Sequence, residues 1–212
     1  YTYGTNGLKV DIPRIVNYID KEIMKGDIAE AKLFNPDFII ANMHWGLEYE
    51  RIPSREQREL ADWLLRQGVD LVIGSHPHVV QPMELRRGKE GVTDRLVVYS
   101  LGNFISNMSR EHTDGGVMVK VVLGRKGLRR YIISAQYSLI YSSRYKNEQG
   151  KEDIRVVPAA SWSGKNQNSS FSVDSALIKY VNNTRLFLEG NNKEVEEYIF
   201  EYKNARIICS LK

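Results

Sequence analysis

Two short stretches carry imidazoles at spacings that could do metal chemistry. Gly74-Ser75-His76-Pro77-His78 sets two histidines one residue apart and Met43-His44 supplies a third, so three of the chain's four histidines sit in two places. Neutral imidazole is the commonest metal-ligating side chain, and rings held on a short loop lose little freedom when they bind. Gly74 lets the backbone turn, while Pro77 fixes its own φ and is expected to press His76 toward an extended conformation. An isolated His-Pro-His also fits an ordinary surface turn, so the flanking elements decide.

Those elements favour a site. The apolar run Asp70-Leu71-Val72-Ile73 reads as a short buried strand, and Asp37 to Met43, with its core Phe38-Ile39-Ile40-Ala41, reads as another that ends at His44. Between them Ser54 and Gln57 have the spacing of a capping box. The helix that follows buries Leu60, Ala61, Leu64 and Leu65 along one stripe and stops at Gly68. A strand, helix, strand unit implies parallel neighbours, which deliver their C-terminal ends to one sheet edge. His44 should therefore meet His76 and His78 at the edge where α/β proteins place their chemistry.

The rest of the chain is read around this unit. The opening Tyr1-Thr2-Tyr3-Gly4-Thr5-Asn6-Gly7 looks like a strand end running into a loop, with a neighbour missing before it. Pro13 suits the start of a helix through Ile15, Val16, Ile19, Ile23 and Met24, interrupted by Gly26. Asp27 and Glu30 can then cap a second short helix that Asn35-Pro36 ends. After His78, strands are expected at Val79 to Arg87, Arg95 to Ser100, Gly116 to Leu123 and Leu128 to Tyr137. Glycine-bearing turns at 88–91 and 124–127 make them antiparallel. From Ser138 the pattern weakens. Asp153 to Val157 could be a short strand, Ser161 to Ser170 reads as a linker, Ser175 to Leu188 and Lys193 to Ala205 as helices, and Arg206 to Leu211 as an edge strand or a tail.

Three clusters carry the chemistry: His44-Trp45-Gly46-Leu47-Glu48-Tyr49, Gly74 to Gln81, and Tyr99-Ser100-Leu101-Gly102-Asn103-Phe104. With the opening Tyr-Thr-Tyr-Gly-Thr-Asn-Gly, their order and spacing resemble the poly-γ-glutamate capsule biosynthesis protein family, CapA, which is similar to the calcineurin-like metallophosphoesterases. The resemblance covers residues 1 to 123. It implies an α/β fold: the second half of a metallophosphoesterase-like αββα sandwich, parallel strands followed by an antiparallel meander, with a helical C-terminal extension. The domain division expected is 1–137 for the C-terminal part of the CapA-like domain, 138–170 for an irregular segment and linker, and 171–212 for the extension.

The resemblance also implies a two-metal centre. His44 and His76 would bind one divalent ion and His78 the other, with Mn, Zn or Fe all compatible with such ligands. Two close cations can polarise a phosphoryl oxygen and activate water. The loop here reads Gly-x-His-x-His, one residue longer than the metallophosphoesterase pattern, and the family's upstream acidic ligands and Asn-His pair have no counterpart in it. The chain thus resembles the C-terminal portion of a larger domain with an incomplete site, for which no catalytic residue beyond the metal ligands is assigned. Glu48 and Asn103 are candidates for orienting a ligand or meeting substrate, and Trp45 for walling the site. The alternatives are a solvated glutamate, a turn asparagine and a core indole. His112, between Glu111 and Asp114, reads as solvated, and Arg86, Arg87 and Lys89 as a charged hairpin tip.

Function and setting follow as expectations. The resemblance implies making, exporting or anchoring poly-γ-glutamate or a related acidic capsular polymer, by metal-dependent hydrolysis or transfer. The partners would be the polymer and membrane synthase subunits, and the setting extracytoplasmic, membrane-associated or cell-surface. Two alternatives stand beside it: a non-catalytic binding module for the polymer or synthase, and a metallophosphatase-like protein without a capsule role. Composition narrows the field. A net charge of +4, with no dense basic cluster, argues against nucleic acid. Cys209 is the single cysteine, which excludes an intrachain disulfide and a multi-cysteine zinc site. No apolar run approaches the roughly 20 residues that span a bilayer.

Overall fold

Period-two burial in the central strands sets the architecture. The computed structural model describes residues 1–5, 16–89, 94–127, 129–160, 175–203 and 206–211. β1 (Ile40–His44) and β2 (Leu71–Ser75) pair in parallel, with His44 opposite Ser75, and helix α2 (Arg55–Arg66) makes the crossover between them. β4 (Arg95–Val98) adds in parallel to β2, and β3 (Met83–Arg86) pairs antiparallel with β4, giving the order β1-β2-β4-β3. Along β2 and β4, Leu71, Ile73, Leu96 and Val98 face one core, while Val72 and Val97 face the other.

Each face is covered differently. On one side lie α2 and helix α1 (Lys21–Leu33), which contribute Ala61, Leu64, Met24 and Ile28 to a core with Met43, Trp45 and Tyr99. On the other lies a second sheet of β5 (Gly115–Lys126), β6 (Arg129–Lys146), β8 (Glu196–Lys203) and β9 (Arg206–Leu211). β7 (Glu152–Pro158) pairs on β6. Helix α3 (Ser175–Asn191) joins this larger core through Leu177, Tyr180, Val181 and Leu188. Helices, parallel-rich sheet and mostly antiparallel sheet are stacked as in half of a metallophosphoesterase-like sandwich.

The capping box forms as read. The Ser54 hydroxyl accepts from the Gln57 N–H at 3.2 Å, and the Gln57 side chain accepts the Ser54 N–H at 3.0 Å. Gly68, past the helix end, has φ +95°, which a glycine adopts without strain. Gln57 is itself buried, donating to Gln81 Oε1 at 2.8 Å, so the cap also ties α2 to the segment after His78.

Several expectations are corrected. The start at Pro13 lies outside the described residues. Val16 to Ile19 is not helical: Tyr18 bridges to Thr2, and α1 starts after Asp20, whose carboxylate accepts from the N–H groups of Glu22 and Ile23. Gly26 does not interrupt α1. Its cost of about 1 kcal/mol relative to alanine is outweighed by a good cap and by burial of Met24 and Ile28 on either side. Residues 138–146 are strand rather than irregular, because β6 continues between β5 and β7, and the short strand read at Asp153 to Val157 forms as β7. The segment read as a helix from Lys193 forms β8 instead, in parallel register with β6 at Gln136 and Glu196. Its glutamates favour helix, but Tyr198, Ile199, Phe200 and Tyr202 fit a strand, and pairing overrides a weak local preference. The expected linker 161–170 lies outside the described residues.

Candidate metal centre

Three loops leave the same edge of the first sheet and are bolted together by main-chain bonds. The Trp45 N–H donates to the Ser75 carbonyl at 3.1 Å, Tyr49 N–H to Pro77 O at 2.8 Å, and Leu101 N–H to Gly74 O at 3.0 Å. The opening segment joins them: His44 N–H reaches Tyr1 O at 2.7 Å, and Tyr3 N–H reaches His44 O at 3.1 Å. Parallel register is what makes this possible, since residues far apart in sequence end their strands side by side.

The expected convergence of imidazoles is present. Ring centroids of His44 and His76 are 4.5 Å apart, and those of His76 and His78 are 5.8 Å apart. The tightest donor group differs from the implied one, however. One nitrogen each from His76 and His78 and a carboxylate oxygen of Glu48 all lie within 4.8 Å of one another, whereas His44 packs against the His76 ring outside that group. Glu48, weighed as an orienting residue or a surface acid, thus stands as a candidate donor, with His78 Nε2 3.8 Å from its Oε1.

Tautomers can be argued from the neighbours. Asn103 Nδ2 donates to the Thr113 carbonyl at 2.9 Å, which turns Oδ1 to His78 Nδ1 at 3.0 Å. His78 then donates through Nδ1 and leaves the Nε2 lone pair on the Glu48 side. His76 is 6% exposed; its Nε2 meets the Tyr3 hydroxyl at 3.0 Å, and its Nδ1 is buried with no partner. A buried ring nitrogen without a partner, on a histidine that stands with a carboxylate and a second imidazole, is donor chemistry a divalent cation satisfies. Removing the Asn103 amide by Asn103→Ala should weaken divalent-metal binding about 10- to 100-fold, read by competition with a fluorescent chelator. Unchanged affinity would show that His78 needs no such orientation.

His44 and His76 both titrate below the ordinary imidazole range, burial being the largest cause in each. The charge on His78 comes next for His44, and that on His44 for His76, where Glu48 acts in the opposite sense. Both rings are thus biased toward the neutral, metal-binding form. The unfolded chain takes up these protons near pH 6.5 and the folded chain only below that. Stability is therefore fully present above about 6.5 and is lost as pH falls through the depressed values. Metal-stripped protein should become easier to unfold with urea between about pH 7 and 5, and His44→Gln should flatten that slope. An equal slope in the variant would remove His44 from the account.

Not every expected residue joins the site. Trp45 is turned into the core, 2% exposed, its indole N–H donating to Tyr99 O at 2.9 Å. His76 is not pressed into extended backbone by Pro77; its φ is +102°, and His78 has φ +61°. His112 is partly buried, its pKa lowered by that burial and then by Arg51, and lies outside the donor group. Arg86 and Arg87 face carboxylates, at Asp62 and Glu84 and at Asp94 and Glu194. Two residues escaped the sequence reading. Tyr3 touches His76 and stacks on His44 at 6.0 Å, and Tyr49 stacks on His78 at 6.1 Å. Tyr3's place in the opening motif was the available signal.

Sheet order, edge and donors together define a metallophosphoesterase-like half-sandwich with a candidate metal site. The family model for the bacterial capsule synthesis protein PGA_cap matches residues 2–108, and the chain belongs to that family. It is similar to the PGA biosynthesis protein CapA of Bacillus subtilis (strain 168), 34% identical over 115 residues, which are 54% of this chain and 28% of that protein. It is also similar to the capsule biosynthesis protein CapA of Bacillus anthracis, 35% identical over 107 residues, 50% of this chain and 24% of that protein. The matched part thus spans only about a quarter of either relative's length. The family match takes in all three site-bearing loops.

Proposed function

We propose that this chain belongs to a protein acting on poly-γ-glutamate or a related acidic capsular polymer, in its making, export or anchoring outside the cytoplasm. In this reading Glu48, His76 and His78 hold a divalent cation such as Mn, Zn or Fe. The observation that carries the reading is the donor group itself: two imidazoles and a carboxylate within 4.8 Å, on loops locked to one another, with a buried His76 nitrogen left unpartnered. A cation there would polarise an anionic oxygen and favour hydrolysis or transfer. The chain's own contribution is to favour neutral His76 through its burial and to orient the His78 ring through the Asn103 contact. Capsule membership of the family supports the polymer, and the two CapA relatives support it further. Among the described residues no helix is long and apolar enough to cross a membrane.

The test is metal content of the full-length protein together with polymer output in cells. Purified protein should retain a divalent metal that His78→Ala loses, and cells carrying the variant should make or anchor less polymer. A metal-free protein whose His78→Ala form supports normal polymer would overturn the reading. Normal metal content with normal polymer in His78→Ala would remove His78 from the site.

A further inference from the structure

Two guanidinium groups carried by the segments that hold the donor group are held by aromatic rings instead of by acids. The Arg110 guanidinium carbon lies 4.0 Å from the Tyr49 ring centroid, and Tyr49 in turn stacks on His78. The Arg51 guanidinium carbon lies 3.8 Å from the Phe187 centroid on α3. Its Nη2 donates to the Asn183 carbonyl at 3.4 Å, and its Nε is buried with no partner. Glu111, whose charge reaches Arg51, pairs with Lys179 at 3.4 Å instead. Neither guanidinium makes a salt bridge to a carboxylate among the described residues, in contrast to Arg86, Arg87 and Arg185 on the same molecule.

That contrast has a physical meaning. A partly buried cation without a counter-ion is costly, and burial does lower the Arg51 pKa. A ring beneath a guanidinium fixes its plane through cation–π attraction; for exposed Arg110 this leaves the N–H fork open to grip an oxyanion with two bonds, whereas Arg51, with Nη2 given to Asn183, adds its charge and a partial fork. Arg51 and Tyr49 sit on the loop that carries Glu48, and Arg110 follows the loop that carries Asn103. Both cations are therefore placed by the same segments that place the metal donors. Other titratable groups of this neighbourhood are His112, lowered by burial, Asp114, raised by burial, and the Glu111–Lys179 pair; Asp114 makes no salt bridge to either arginine.

We propose that Arg110 on Tyr49 and Arg51 on Phe187 form an anion subsite beside the metal donors, gripping an acidic group of the substrate chain next to the one that meets the metal. The assignment rests on the acidic-polymer reading and extends it: the substrate presents at least two anionic groups in succession, and these arginines select for the second.

The test uses the full-length protein with two probes, a short γ-linked glutamate oligomer and inorganic phosphate, each titrated at low and high salt with metal content measured in parallel. Arg110→Gln and Arg51→Gln are each expected to weaken oligomer binding about tenfold, with metal content unchanged and the wild-type affinity falling as salt rises. Arg110→Lys, which keeps the charge and loses the fork, should recover only part of the loss. Thermal melts guard the Arg51 variant, because Arg51 also packs on α3; Arg110 is exposed and carries the test if Arg51→Gln unfolds. Weakened binding of phosphate as well would assign the subsite to oxyanions generally, and weakened oligomer binding alone to carboxylates. Oligomer and phosphate binding both unchanged in Arg110→Gln would overturn the proposal while leaving the metal reading intact. A metal-free protein that still loses oligomer binding in Arg110→Gln would do the reverse.

Discussion

Gly74→Ala is expected to destabilise the protein by about 3 kcal/mol or more. A Cβ at this position would stand 2.0 Å from the Tyr99 carbonyl oxygen and 2.4 Å from Trp45 Nε1. Neither can retreat cheaply: one is backbone at the end of β4, and the other is a buried indole already bonded to that same carbonyl at 2.9 Å. The methyl must therefore break the Trp45 to Tyr99 bond or push β4 off β2, and either displaces the loop that follows Gly74 and bears His76 and His78. Gly26→Ala is the internal control, since nothing lies within 4 Å of its Cβ. In the middle of α1, alanine there should stabilise by about 0.5–1 kcal/mol. Urea unfolding of the two variants should move in opposite directions. A Gly74→Ala protein as stable as the wild type would mean that β2 and β4 can part without cost.

How much of this was legible in the sequence depends on which contacts are local. The meeting of His44 with His76 and His78 could be read because crossover length fixes strand direction and strand direction fixes the edge. The capping box at Ser54 could be read because it is a four-residue pattern. Glu48 could be seen as a carboxylate near His44, but its place among the donors depends on the loop after β1 folding back so that Tyr49 N–H reaches Pro77 O. Tyr3 was hidden for a different reason. It lies 73 residues from His76, and its role follows from the opening segment pairing beside β1, which no local periodicity encodes. The second sheet was the least legible part. β6 continues through polar residues after Ser138 because β7 covers its other edge, and β8 is a strand because β6 offers it a partner. Pairing partners of that kind are properties of the assembled sheet, and a string of glutamates and tyrosines carries them only weakly.

The other large effect concerns the backbone of the His-Pro-His loop, where function and stability should part. His76 has φ +102°, beyond the small left-handed well that a non-glycine residue tolerates. Such a residue stores on the order of 1–3 kcal/mol, and strain of this kind gathers at functional sites. His76→Ala and His76→Gly remove the same ring, the same contact to Tyr3 and the same candidate metal donor; they differ in whether a Cβ remains on a strained backbone. Glycine elsewhere is the poorer choice because of its unfolded-state entropy, yet here His76→Gly should be more stable than His76→Ala by about 1 kcal/mol. Both should lose divalent-metal affinity by more than the roughly 100-fold at the top of the range for outer-partner losses, since a donor rather than its support is gone. Denaturant midpoints and metal competition on the same two proteins decide the matter. Alanine equal to or better than glycine would show that the φ carries no strain, and metal retained by both would remove His76 from the donor group. If both results come as expected, the loop is held in a costly shape whose return is the position of one imidazole nitrogen. That explains why proline and glycine flank these histidines: Gly74 makes room for the strand end, and Pro77 limits the ways the strained residue before it could relax.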